Sequence, residues 1–174
     1  PREQAVCAAS LGALLAHVGE AEAALEQYRL AGGVFEELGL SEELAATRTN
    51  MGRAHRMLKQ YDESIRELEA AGRLFRQIAR AATSEGRRWT PEPMFQVEAS
   101  LGATYFYRGQ EGDLYRSYRH YARAVRIIEY LRGRGATTTD YKTAYFARMS
   151  WVYDEMVAVL LHMRDEGQAP GGAE

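Results

Sequence analysis

One frame recurs along this chain, and it constrains the fold more than any other feature. It reads Ser10-Leu11-Gly12, then Asn50-Met51-Gly52, then Ser100-Leu101-Gly102, with Arg148-Met149-Ser150 as a weaker fourth copy. Behind the first stand Leu15, Gly19, Ala24, Tyr28 and Ala31. Behind the second stand His55, Lys59, Ser64, Leu68 and Ala71. The third continues with Tyr105 and Gly109 and then, about three residues late, Ser117, Tyr121 and Ala124; the fourth continues only with Tyr153. The copies are 40, 50 and 48 residues apart. Glycine inside a helix costs roughly 1 kcal/mol against alanine, so its return at one place in a frame calls for a packing reason. The reason proposed is a close helix crossing. The small residue lets a partner helix approach, and Leu15, His55, Tyr105 and Tyr153 fill the space beside it. Ala24, Ser64 and Ser117 do the same from the second helix, and Tyr28, Leu68 and Tyr121 are expected to pack on the following copy. A single hairpin cannot bury its own face, so stacked copies share a core.

Periodicity and punctuation place the helices. The first is predicted over 2–17, with Ala5, Ala8, Leu11, Leu15 and Val18 inward. The second is predicted over 21–38, with Ala24, Leu25, Tyr28, Ala31, Phe35 and Leu38 inward. Ser41 reads as the N-cap of a third helix over 42–58, and Asp62 as the cap of a fourth that ends near 82. A polar linker over 83–89 follows. Thr90-Pro91-Glu92 restarts helix, giving a fifth over 91–108 and a sixth over 113–132. A last helix is expected over 138–165, with Tyr141, Tyr145, Met149, Val152, Met156, Leu160 and Met163 as its stripe. The expected architecture is all-α, an α-solenoid of hairpins at about 2–39, 41–82 and 91–132 with a C-terminal capping helix. It forms one domain over 1–166, with a disordered tail over 167–174.

Composition removes several classes of function. The net charge is −2, which gives no drive towards nucleic acid or membrane. No apolar run nears the roughly 20 residues of a membrane span, and no signal peptide is visible, so the cytoplasm is the expected compartment. The single Cys7 excludes an internal disulfide and reads as a small buried residue. His17, His55, His120 and His162 have no ligand-type partner at helical spacing. Gly133-Arg134-Gly135 lacks the spacing of a phosphate loop. The reading is of a non-enzyme with no metal and no cofactor.

The chain resembles the tetratricopeptide repeat family. The likeness rests on Leu11-Gly12, Leu15, Gly19, Ala24, Tyr28 and Ala31 in the first copy and recurs in phase over most of residues 5–156. The second copy has His55 at an aromatic place and Lys59 at a glycine place. The 40-residue period and Leu38-Gly39-Leu40-Ser41-Glu42-Glu43 are similar to the longer repeats of bacterial transcriptional regulators and signalling ATPases. The resemblance implies a protein-binding scaffold or sensor module of such a regulator, holding a partner segment in a concave groove lined by the first helix of each hairpin.

Carried onto this sequence, the groove positions are Ala9, Ala13, Ala16 and His17 in the first copy. The second copy gives Thr49, Asn50, Arg53, Arg56 and Met57. The third gives Gln96, Ala99, Ser100, Ala103, Phe106 and Tyr107, and the fourth Ala147 and Trp151. Asn50 can hydrogen-bond a peptide backbone in both directions, and Arg53 with Arg56 offers bidentate recognition of carboxylates. The expected partner is a protein or peptide, acidic or C-terminal, with apolar anchors. An arginine stripe, Arg116, Arg119, Arg123 and Arg126, reads as a solvated outer face, so no direct nucleic-acid contact is expected. Two alternatives stand beside this. One is a small-molecule-sensing domain whose ligand sits near Tyr107 and Trp151. The other is a homodimer through Val157, Leu160 and Leu161 of the last helix.

Overall fold

The glycines of the repeated frame sit where helices touch. In a computed structural model describing residues 1–134, 147 and 149–168, the described residues form seven helices and no strand. These are α1 (Arg2–His17), α2 (Ala21–Glu37), α3 (Ser41–Met57), α4 (Tyr61–Ser84), α5 (Glu92–Arg108), α6 (Asp113–Arg134) and α7 (Trp151–Asp165). The chain forms two compact units, Pro1–Pro93 and Met94–Glu174.

In the first unit α1 pairs with α2 and α3 with α4, while α2 packs on α3. A Cβ on Gly12 would lie 2.7 Å from the Tyr28 ring and 3.2 Å from the Ala24 carbonyl oxygen. A Cβ on Gly52 would lie 2.6 Å from Leu68 Cγ and 3.1 Å from the Ser64 carbonyl oxygen. In the second unit a Cβ on Gly102 would meet the Tyr121 ring at 3.0 Å. There Ser117 Oγ also donates to the Gly102 carbonyl at 2.8 Å. Residues of equal place in the frame thus make equal contacts. Tyr28, Leu68 and Tyr121 lie against the glycine of their own hairpin, where packing on the following copy was expected. Tyr28 does both, since it shares a buried cluster with Ala54 of α3. His55, in the aromatic place, is buried and bonded through Nδ1 to Gln60 at 2.7 Å.

The turns repeat as well. Gly19, Lys59 and Gly109 occupy one place in the frame, and all three are left-handed, with φ of 92°, 57° and 66°. After Gly19 and Lys59 the next amide returns to the helix, from Glu20 to the Leu15 carbonyl and from Gln60 to the His55 carbonyl, both at 2.9 Å. That is the Schellman arrangement. Lysine pays the left-handed penalty that glycine avoids. Lys59→Gly therefore raises stability by about 1 kcal/mol, read as a higher denaturant midpoint at unchanged slope.

Several sequence expectations change. Ser41 and Asp62 do not cap. The helices start at Ser41 and Tyr61, with Leu40 and Gln60 before them and no side-chain cap bond. The return from Gly39 and from Lys59 leads straight into the next helix, so its first turn begins before either side chain could serve. The fourth helix runs to Ser84, and the fifth begins at Glu92, one residue after Pro91. Leu11, Val18 and Leu38 are exposed, not inward, and so is Cys7. The buried side of α1 runs through Ala5 and Gly12, which puts Cys7, Leu11 and Val18 on its far side. The last helix is not continuous over its described part. Met149 and Ser150 form a turn, Ser150 Oγ bonds to the Ala147 carbonyl at 2.9 Å, and helix restarts at Trp151. Tyr141, Tyr145, Phe146, Arg148, the expected start at 138 and the tail from 169 lie outside the described residues.

The second unit is built on a buried cluster of Phe95, Ala99 and Ala103 from α5, Tyr121, Ala124 and Ile128 from α6, and Val152, Val159 and Met163 from α7. Ser117, Tyr121, Ala124 and Ile128 are fully buried, while Arg116, Arg119, Arg123 and Arg126 are exposed, Arg116 and Arg123 reaching the buried acids Asp113 and Glu98. No helix among the described residues is long and apolar enough to cross a membrane.

Candidate functional site

The first unit holds a cleft of about 300 Å³ whose lining joins three helices. The close crossing at Gly12 places Tyr28 of α2 within reach of α1, and α3 packs on α2 and touches α1. Ala13, Ala16 and His17 line the cleft from α1, Tyr28 from α2, and Asn50, Arg53, Ala54 and Met57 from α3. The arrangement follows from the sequence. Ala13 and Ala16 leave space because they end at Cβ. Asn50, Arg53 and Met57 fall at 3- and 4-residue steps and share one side of their helix.

Of the lining residues Tyr28 and Ala54 are buried, Ala16 and Asn50 half-buried, and Ala13, His17, Arg53 and Met57 exposed. Arg53, Asn50 and His17 make no side-chain hydrogen bond or ion pair among the described residues. Burial raises the Tyr28 phenol above its ordinary value, and the positive charge of Arg53 acts against that rise. A site of this kind presents a guanidinium, an amide and an imidazole to one guest beside an aliphatic and aromatic surface. A carboxylate carried on an apolar group matches it, because the guanidinium donates two parallel hydrogen bonds to a carboxylate and the apolar lining favours the rest.

Sequence-derived candidates divide around this cleft. Asn50, Arg53 and Met57 line it together with Ala13, Ala16 and His17. Arg56 is half-buried and is not part of the lining. Thr49 is a correction. It is buried, and its hydroxyl donates to the Ala45 carbonyl at 2.9 Å, so it offers nothing to a partner. Gln96, Phe106, Tyr107 and Trp151 belong to the second unit. Gln96, Tyr107 and Trp151 are exposed there. Phe106 meets Tyr107 and His162 edge to face, with ring centroids 5.6 and 5.1 Å apart. Trp151 stands edge-on to Phe95 at 6.3 Å. Tyr28, which the sequence assigned to packing alone, and Ala54, to which it gave no role, also line the cleft.

Other polar clusters are internal to the second unit. Asp113, fully buried at the start of α6, accepts from Arg108 Nε and Nη2 at 2.8 and 2.9 Å. It also accepts from Arg116 at 2.9 Å and from the Gln110 amide at 3.0 Å. Burial pushes its carboxyl up, and the bonds from Arg108, Arg116 and Gln110 outweigh that and hold it below the usual carboxylate range. Glu98 lies 2.7 Å from His120 Nδ1, and the His120 ring stacks on Tyr105 at 5.4 Å. Both clusters tie α5 to α6, and their acids are occupied by protein partners.

No family model, curated protein or solved structure matches this chain.

Proposed function

We propose that this chain is a non-catalytic helical-repeat module, similar to tetratricopeptide repeats, that binds a segment of another protein. The cleft between α1 and α3 takes an apolar residue bearing a carboxylate, either a chain end or an acidic side chain beside an apolar one. Arg53 receives the carboxylate, Asn50 holds the backbone of the segment, and Ala13, Ala16 and Met57 border its apolar part. The observation that carries this reading is a cleft lined by unpartnered polar groups beside apolar ones. Arg53, Asn50 and His17 have no protein partner among the described residues, whereas Asp113 and Glu98 are met by arginine or histidine. Such a module serves as the scaffold or sensor part of a bacterial regulator.

The test uses a pool of short peptides ending in an apolar residue with a free carboxylate, beside the same pool amidated. Binding is expected for the free pool alone. Arg53→Glu weakens it about ten- to hundredfold, the range of one charge-assisted hydrogen-bonded pair, with helicity and melting unchanged. Equal binding of amidated peptides, or full affinity in Arg53→Glu, contradicts the proposal.

A further inference from the structure

We propose that His17 makes ligand binding in the cleft proton-linked, its imidazole taking up a proton as a carboxylate enters, an inference that rests on the carboxylate reading of that cleft. The chain has 4 histidines, and three of them have a side-chain partner. His55 Nδ1 meets Gln60 Oε1 at 2.7 Å, His120 Nδ1 meets Glu98 at 2.7 Å, and His162 Nδ1 meets the Ala158 carbonyl at 2.9 Å. His17 is exposed and has none among the described residues. It is also the histidine that lines the cleft.

Neither the repeat nor the helix end calls for an imidazole here. In the frame His17 corresponds to Met57 and Tyr107, and neither a thioether nor an ordinary phenol changes charge between about pH 5 and 8. At the end of α1 the Leu14, Leu15 and Ala16 carbonyls already accept from the Val18, Glu20 and Gly19 amides, at 3.1, 2.9 and 3.2 Å. The ring is not needed to cap them. The helix dipole favours a cation at this end, but it does so with the cleft empty or filled, and so it does not couple the proton to the ligand.

The surroundings of the cleft set the sign. Among its lining, α3 contributes Arg53 and α2 contributes Tyr28, and no Asp or Glu takes part. On α1 itself residues 4–16 contain no Asp, Glu, Lys or Arg. The nearest acid along the chain is Glu20, which is exposed and outside the lining. A proton on His17 in the empty cleft therefore shares it with a guanidinium and no counter-charge, whereas a bound carboxylate supplies one. Protonation and binding then favour each other by the same factor. That factor is about two- to fivefold, the range of one exposed ion pair. Between about pH 8 and 5.5 an imidazole changes charge, while a chain-end carboxylate stays ionised.

The test titrates the tightest-binding member of the free-carboxylate pool, N-acetylated and without ionisable side chains, onto the full chain at about pH 8 and about pH 5.5. The wild type is expected to bind about two- to fivefold more tightly at the lower pH. His17→Gln binds at both with the weaker affinity, and His17→Lys at both with the stronger. Melting of both variants matches the wild type, since the ring is exposed and bonds nothing among the described residues. A wild-type affinity that does not change with pH overturns the inference. So does a pH dependence that His17→Gln keeps, or weak binding by His17→Lys at the higher pH. Each of these leaves the carboxylate reading of the cleft standing, whereas no binding at either pH overturns that reading and the inference with it.

Discussion

Gly52→Ala lowers the stability of this protein by about 1–3 kcal/mol, although alanine is the better helix former. The same substitution at Gly33 raises it by roughly 0.5–1 kcal/mol. Both glycines lie inside helices, so propensity favours alanine at both. The difference is space. A Cβ at Gly33 meets nothing within 4 Å, whereas one at Gly52 stands 2.6 Å from Leu68 Cγ and 3.1 Å from a backbone oxygen. Leu68 is fully buried and cannot swing aside, since Cγ is the branch point of its side chain and the interior is close-packed. Gly12→Ala falls on the same side as Gly52→Ala, its obstacle being the buried ring of Tyr28. Chemical denaturation of the three variants checks the signs. A stabilising Gly52→Ala removes the close crossing from the account of the repeat.

Asp113→Ala is expected to cost about 3–5 kcal/mol, the range found when one member of a buried ion pair is removed. The loss leaves Arg108, whose side chain is only 15% exposed, without its bidentate partner. It also leaves the Gln110 amide without its acceptor. The effect depends on pH in a defined direction. The folded carboxyl titrates below its ordinary value, so its stabilisation is complete above the unfolded value, about 3.9, and disappears as pH falls through the lower folded one. Between neutrality and pH about 5 the wild type and Asp113→Asn therefore differ by a constant amount, and the gap narrows on further acidification. Thermal melts across that window read it.

Much of the fold was legible because repetition turns single residues into a pattern. No one glycine says where a helix crosses, but Gly12, Gly52 and Gly102 at one place in the frame do; what each meets there, Tyr28, Leu68 or Tyr121, the sequence reading had set against the following copy. Lys59 was placed in a turn because Gly19 and Gly109 share its position in the frame, and its left-handed φ came only with the structure. The misreadings have physical causes of their own. In α1 both sides are apolar, so periodicity had no polar side to mark solvent, and Leu11 and Val18 were turned inward. Ser41 and Asp62 have the composition of caps, but the left-handed return ahead of them starts the helix first. A buried threonine that bonds its own helix, as Thr49 does to Ala45, has no sequence signature, and so it passed as a groove residue.

The candidate site was legible in part for the same reason. Asn50, Arg53 and Met57 could be placed because they share one helical side, and Ala13, Ala16 and His17 followed from the frame. The part played by Tyr28 could not be read, since its ring fills the crossing at Gly12 and also lines the cleft. Sequence offers one role per position where this residue holds two. The Asp113 cluster did leave a trace, in the spacing of Arg108 at the end of α5 and Asp113 and Arg116 at the start of α6 across a glycine-bearing turn, but only Arg116 entered the sequence reading, as part of a solvated stripe.

The most direct measurement of the central claim is a residue-resolved NMR titration with the free-carboxylate peptide pool. The account predicts that resonances of Ala13, Ala16, Asn50 with its side-chain amide, and Arg53 Nε move together and saturate, while those of Gln96, Tyr107 and Trp151 stay in place. Shifts centred on Tyr107 and Trp151 with Asn50 and Arg53 unmoved would contradict it.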